Sequence, residues 1–222
     1  LTANQKNSEM LAGTAVAATA LMEERVSHVP EDQVRAHVYA LLGALLRAPA
    51  RSDLLDVLTG IELPQDLPVD DTGNFLNAWR VLKMAAGRAH EEALNDEYHA
   101  LFIGLGRGEL MPYASWYLTG FLMDKPLALL RGDLQALGLE RQEQVHEPED
   151  HAAALCECMA MLISGNQDSG AEQRFFHDHI EPWMKAFFVD LGTAKSAVFY
   201  KAVAGFGEQF IDFESRYLAM PV

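Results

Sequence analysis

Apolar residues in this chain recur at helical spacing in block after block, a rhythm that leaves little room for strands. Val34, Val38, Leu41, Leu42, Leu45 and Leu46 form one stripe of a helix that opens at Pro30-Glu31-Asp32 and stops at Pro49. Proline suits a first helical position, and acids suit the positive end of the helix dipole. Ser52 is expected to cap a short helix with Leu54, Leu55 and Leu58, closed by Gly60, and Ile61 to Thr72 reads as a loop with Pro64 and Pro68. Phe75, Trp79, Leu82 and Ala86 line the next helix. Further on, Pro126 opens a helix with Leu127, Leu130, Leu134 and Leu137 inward, ended by Gly138. From Pro148 to about Ile163 the chain is apolar nearly all round, the mark of a central helix. Ser169-x-x-Glu172 is a capping-box signature. Aromatic helices around Phe175, Phe176, Trp183, Phe187 and Phe188 follow. The last helix is predicted from about Ser196 to Leu218, with Phe199, Ala202, Phe206, Phe210, Phe213 and Tyr217 on one side. No strand-like alternation, hairpin dipeptide or repeat interrupts this pattern, so the expected fold class is all-α.

A chain of 222 residues can bury one sizeable core. The expected organisation is an N-terminal extension over 1–29, an N-terminal helical subdomain over 30–138, a hinge linker over 139–147 and a C-terminal helical subdomain over 148–222. The linker is polar and lacks apolar periodicity. Met10–Met22 is alanine-rich, but Glu9 precedes it and Glu23-Glu24 follow, so it reads as an extension and not as a targeting signal. No apolar run reaches membrane-spanning length. With 17 basic against 32 acidic residues the net charge is −15, which disfavours nucleic acid and suits a cationic partner or plain solubility. Cys156 and Cys158 point about 200° apart on a helix, so they read as small hydrophobes, not as a metal pair or a disulfide.

The stretch from Glu97 to His151 is more particular. Tyr98, Leu101, Phe102 and Leu105 fall at i, i+3, i+4 and i+7, one apolar face of a helix. Gly104, Gly106 and Gly108 end it, and Pro112 forces Met111 out of the helical region. Three motifs then follow in order: Tyr98-x-x-Leu101-Phe102-x-Gly104, Pro112-Tyr113-Ala114-Ser115-x-Tyr117, and Glu147-Pro148-x-Asp150-His151. Together they resemble the TorD/DmsD family of cytoplasmic redox-enzyme maturation chaperones. Arg174-Phe175-Phe176 through Asp190-Leu191 extends the resemblance, which covers roughly Glu31 to Tyr217.

The resemblance implies an all-helical fold of two packed subdomains joined by a hinge, and a cytoplasmic protein without a cofactor of its own. It implies a client: an immature molybdenum-cofactor oxidoreductase, of the TMAO/DMSO reductase or formate dehydrogenase type, held together with its twin-arginine signal peptide before export. The implied binding residues are Tyr113, Ser115, Trp116, Tyr117, Glu147, Pro148, Asp150 and His151. Domain-swapped homodimers are implied as well. One departure is Ala114, where some members carry Glu.

The residues support parts of this on their own. A twin-arginine peptide offers guanidinium forks followed by an apolar helix. Its receptor needs rim carboxylates and adaptable apolar side chains, types that Glu109, Glu147, Glu149, Asp150, Met111 and Met123 supply. Glu147 to His151 also reads as plain helix-start chemistry, and a helix N-terminus keeps His151 neutral. Trp79, Trp116, Tyr117, Phe121 and Trp183 read first as core. No catalytic motif occurs: adjacent Asp150 and His151 point about 100° apart, and His177 and His179 cannot share an ion from one helix face. An enzyme is therefore not expected. The alternative from another class is a helical GTP-binding regulator built on Gly104-x-Gly106-x-Gly108, although that glycine run follows a helix where phosphate loops follow a strand.

Overall fold

The computed structural model describes residues 31–65, 71–142, 144–165 and 169–220. The extension over 1–29, the Pro30 helix start, Pro68 and the Ser169 side chain lie outside the described side chains. Ten helices are described: α1 Glu31–Arg47, α2 Ser52–Gly60, α3 Asp71–Ala86, α4 Glu91–Tyr98, α5 Ala114–Thr119, α6 Lys125–Ala136, α7 Ala152–Ser164, α8 Ser169–His179, α9 Met184–Thr193 and α10 Tyr200–Leu218. Among the described residues there is no strand, only an isolated bridge between Tyr113 and His151. The all-α expectation holds.

The helices pack in two groups. In the first, α1 lies along α7, α7 meets α8, and α6 sits between α8 and α5. The predicted stripe of α1 is buried from Val34 to Leu46. α7 buries Ala152, Ala153, Leu155, Cys156, Met159, Ala160, Leu162 and Ile163 on more than one side, as its composition predicts. In the second group α10 packs on α9 and α3, and α3 on α2. Phe75 stacks against Phe206, Phe210 and Phe213 at centroid distances of 5.4, 6.0 and 6.1 Å, and Trp79 meets Phe206 edge-on at 4.3 Å. Each group draws helices from both sides of residues 139–147, and one continuous core runs through both.

A buried ion cluster ties the groups together. Arg35 on α1 is 2% exposed and forks onto Glu214 of α10 at 2.7 and 2.8 Å. It also binds Glu172 of α8 and, at 3.0 Å, Asp32. Burial opposes charge on Arg35, but Glu214 and Glu172 outweigh it and raise its pKa, whereas burial pushes Glu214 up. Cys156 and Cys158 are free thiols, buried and half-buried, and burial pushes Cys158 up to about 12.

Several local expectations are corrected. α4 continues into a π-helical turn over His99–Ile103, and Gly104 then leaves at φ 61. The helix ends there, so Leu105 lies beyond it and is fully exposed while Tyr98 and Leu101 are buried. Helix α10 begins at Tyr200, not Ser196, because Glu97 accepts from the N–H groups of Val198, Phe199 and Tyr200 at 2.7, 3.1 and 2.8 Å. Arg51, not Ser52, occupies the cap of α2, and the Ser52 N–H is taken by Glu91. Within the 139–147 connection, Leu139 packs against the core edge and Arg141 donates to the Glu147 carbonyl at 3.4 Å.

Candidate functional site

Two segments distant in sequence cross at the centre of the fold. The Ala114 N–H donates to the Asp150 carbonyl at 3.0 Å and the Ala152 N–H to the Pro112 carbonyl at 2.8 Å, making the Tyr113–His151 bridge. The Asp150 carboxylate adds to it, Oδ2 accepting from the Ser115 N–H at 2.9 Å and so satisfying a free donor at the start of α5. This crossing explains why α7 does not open at Pro148. Residues 149–150 form a turn, His151 stays extended at φ −67 and ψ 139, and its Nδ1 accepts from the Ala153 N–H at 3.1 Å as the cap of α7.

An imidazole accepting at Nδ1 must be neutral, with its proton on Nε2. Burial pushes His151 down to about 4, only partly offset by Glu147 and Asp150. A neutral ring at this cap accords with the sequence expectation, and burial is the chief cause of its low pKa. Tyr113 packs edge-on against this ring at 5.1 Å and donates its hydroxyl to Glu147. Burial and the Glu147 bond both raise the Tyr113 phenol.

The structure thus gathers Tyr113, Ser115, Glu147, Asp150 and His151 into one junction, with unequal access. Ser115 and Asp150 are fully buried and His151 nearly so, Tyr113 and Pro148 are half-buried, and Glu147 is exposed. The Ser115 Oγ accepts from the Met123 N–H at 3.2 Å and holds the next turn. Trp116 and Tyr117 leave the same short helix in other directions. Arg107 lies over the Trp116 ring at 4.5 Å. Tyr117 packs on Trp183 and Phe187 and donates to Asp190 at 2.9 Å. Trp79 and Trp183 are core, whereas Phe121 is 71% exposed.

The carboxylates expected at a rim have internal partners. Glu109 takes the Lys195 and Ser196 N–H groups at 2.6 and 3.0 Å, which hold it below its ordinary value. Burial works against charge on Glu149, but Arg131 at 2.8 Å and Arg141 at 3.4 Å outweigh it. Sequence reasoning missed Asp133, which bonds His179 Nε2 at 2.8 Å beside α7, and Asp178 next to it. Nothing in their local pattern distinguishes them from solvated helix residues.

The glycine run closes as a tight return. The N–H groups of Gly104, Glu109 and Leu110 are spent on the carbonyls of His99, Ala100 and Leu101. A Cβ on Gly108 would stand 2.4 Å from the Phe102 carbonyl carbon, so only glycine lets the loop close on the π turn. Among the described residues no group of His, Cys, Asp and Glu is placed to hold a metal ion, and no helix is long and apolar enough to cross a membrane.

Comparison with known proteins agrees with this architecture. The chaperone protein TorD of Aliivibrio fischeri is 24% identical over 210 residues, covering 85% of this chain and 96% of that one. A Haemophilus influenzae protein described as the Tat proofreading chaperone DmsD is 25% identical, covering 74% and 81%. The solved structure of an Archaeoglobus fulgidus protein, described as a redox enzyme maturation protein, superposes with a TM-score of 0.55 over 87% of this chain and 99% of that chain. At 20% identity it speaks for the fold. Residues 70–189, just over half of the chain, match the family described as the nitrate reductase delta subunit. The chain belongs to that family, among the TorD/DmsD-like redox-enzyme maturation chaperones.

Proposed function

We propose that this protein is a non-catalytic cytoplasmic chaperone that holds an immature molybdenum-cofactor oxidoreductase and binds its twin-arginine signal peptide until the cofactor is loaded. The observation that carries the reading is the crossing of residues 112–115 with 150–152. It fixes the half-buried Tyr113 and the exposed Glu147 above a rigid, internally bonded floor of Ser115, Asp150 and His151. In this reading Tyr113, Trp116, Tyr117, Glu147 and Pro148 meet the client, while Ser115, Asp150 and His151 position them. A pre-organised floor lowers the entropic cost of binding. The chain's net charge of −15 favours a basic leader.

Calorimetry with a synthetic twin-arginine leader tests this. Binding is expected, and it should weaken when both arginines become lysines, because the planar forks are lost. A scrambled leader that binds equally well would overturn the proposal. The same reading includes exchange of helices between two copies. It is supported by the way α1 and α7, on opposite sides of residues 139–147, lie along one another, so an equivalent interface can form between chains.

A further inference from the structure

Away from the crossing, in the second helix group, α3 and α10 leave a groove of about 450 Å³ between them. That volume lies in the range of ligand sites. Gly205 and Phe206 form its floor, and its rims carry Asn74 and Asn77 from α3 and Lys201, Glu208 and Gln209 from α10. None of these five rim side chains has a hydrogen-bond or ion-pair partner among the described residues. Asn74 and Asn77 stand one turn apart on α3, with about 5–6 Å between their Cβ atoms. Each side-chain amide offers a donor and an acceptor, the same pair that a peptide unit offers.

Gly205 supplies a second, independent observation. It is exposed in the interior of α10, where glycine is the poorest helix former after proline. Nothing inside the fold asks for it, since a Cβ there would meet no atom within 4 Å. Gly207, two residues on, is by contrast required by the Phe188 ring, 2.3 Å from where its Cβ would stand. A helix glycine with no internal neighbour, on the floor of a groove, leaves room for a backbone to approach from outside.

We propose that the α3–α10 groove binds an extended peptide segment of a partner protein through its main chain. Asn74, Asn77 and Gln209 pair with the N–H and carbonyl groups of the segment, and a small residue lies over Gly205. Lys201 and Glu208 are seven positions apart on one helix, about 10 Å along its axis. Extended chain covers that distance in about three residues. The pair therefore fits a segment with an acidic and a basic side chain about three residues apart, and their order sets its direction. A helical segment has already spent its main-chain groups on itself, so the occupant is a stretch that has not folded. This site is separate from the leader site and does not rest on it.

The test uses the full chain and the blocked peptide acetyl-Ala-Asp-Ala-Gly-Lys-Ala-amide, titrated while the amide resonances of Ala78, Ala202 and Gly205 are followed. Wild type should respond, and Asn74→Ala/Asn77→Ala should bind roughly tenfold more weakly, the loss of two hydrogen bonds. Gly205→Ala should raise the melting temperature, as alanine favours helix, and yet weaken binding. Gly132→Ala serves as the control: it too meets no atom within 4 Å but lies on α6, so it should leave binding unchanged. The same peptide N-methylated at its two central residues keeps the charges, loses main-chain donors and should not bind. Equal binding of the methylated peptide, or of the plain peptide by Gly205→Ala, would overturn main-chain recognition. No response at millimolar peptide would overturn the site. Resonances that move with protein concentration alone, together with a dimer in light scattering, would assign the groove to a second copy and overturn the proposal. Loss of twin-arginine leader binding in Gly205→Ala would put the leader here and overturn a separate site.

Discussion

His151 ties fold stability to pH in a way that one substitution isolates. Its ring is 8% exposed, caps α7 through Nδ1 and titrates at about 4 in the folded chain against an ordinary 6.5. A base whose folded pKa lies below its unfolded value binds its proton more weakly when folded. The stabilisation is therefore complete above pH 6.5 and is lost progressively as pH falls towards 4. A fall from 6.5 to about 4 corresponds to about 3 kcal/mol at the acid end of that window. Protonation also removes the acceptor that holds the Ala153 N–H. His151→Asn keeps a cap acceptor of similar reach and removes the titration, whereas His151→Ala loses the cap and about 1 kcal/mol even at neutral pH. Urea unfolding followed by far-ultraviolet circular dichroism, at steps from pH 7.5 to 4.5, gives the stability difference between wild type and His151→Asn. Other titrating groups are common to both proteins and cancel. The difference should move in favour of the variant by about 2–3 kcal/mol across the window. A difference that stays constant with pH would refute the assignment of a buried, neutral, capping imidazole.

Glu214→Ala should cost about 3 kcal/mol in urea unfolding, since it takes the forked partner from the buried guanidinium of Arg35 and leaves it only Glu172 and Asp32, and Arg35→Met/Glu214→Leu should recover most of it; a single-variant cost below about 1 kcal/mol would contradict a buried cluster. Gly207→Ala should lower the melting temperature although alanine favours helix, because its Cβ would stand 2.3 Å from Cε1 of the fully buried Phe188, an overpacking of about 1–3 kcal/mol. Gly207→Ala with Phe188→Leu should restore part of the loss, and a more stable single variant would show that α9 and α10 do not approach so closely. Size-exclusion chromatography with light scattering should show monomer and slowly exchanging dimer, in a ratio altered by Pro148→Ala; a single species unaffected by concentration would count against helix exchange.

Local periodicity is enough to show that the chain folds as helices and which faces of them seek burial. Val34 to Leu46, the apolar run of α7 and the aromatic side of α10 read correctly because helical periodicity is local and burial follows hydrophobicity. Motif order was also legible, and with it the family. Tertiary structure alone decided what each polar group does. Glu97 and Glu109 look like surface acids until α10 and the turn before it bring N–H groups to them across 86 to 103 residues. Arg35 and Glu214, 179 residues apart, are ordinary helix charges in sequence and a buried pair in the fold. Asp150 and His151 read as a helix start, yet the backbone of residues 112–114 takes the Asp150 carbonyl and the Ala152 N–H and moves the start to Ala152. Periodicity records which residues avoid water; it carries no record of which helix lies opposite. Partners for buried polar groups are therefore fixed only when the helices have packed.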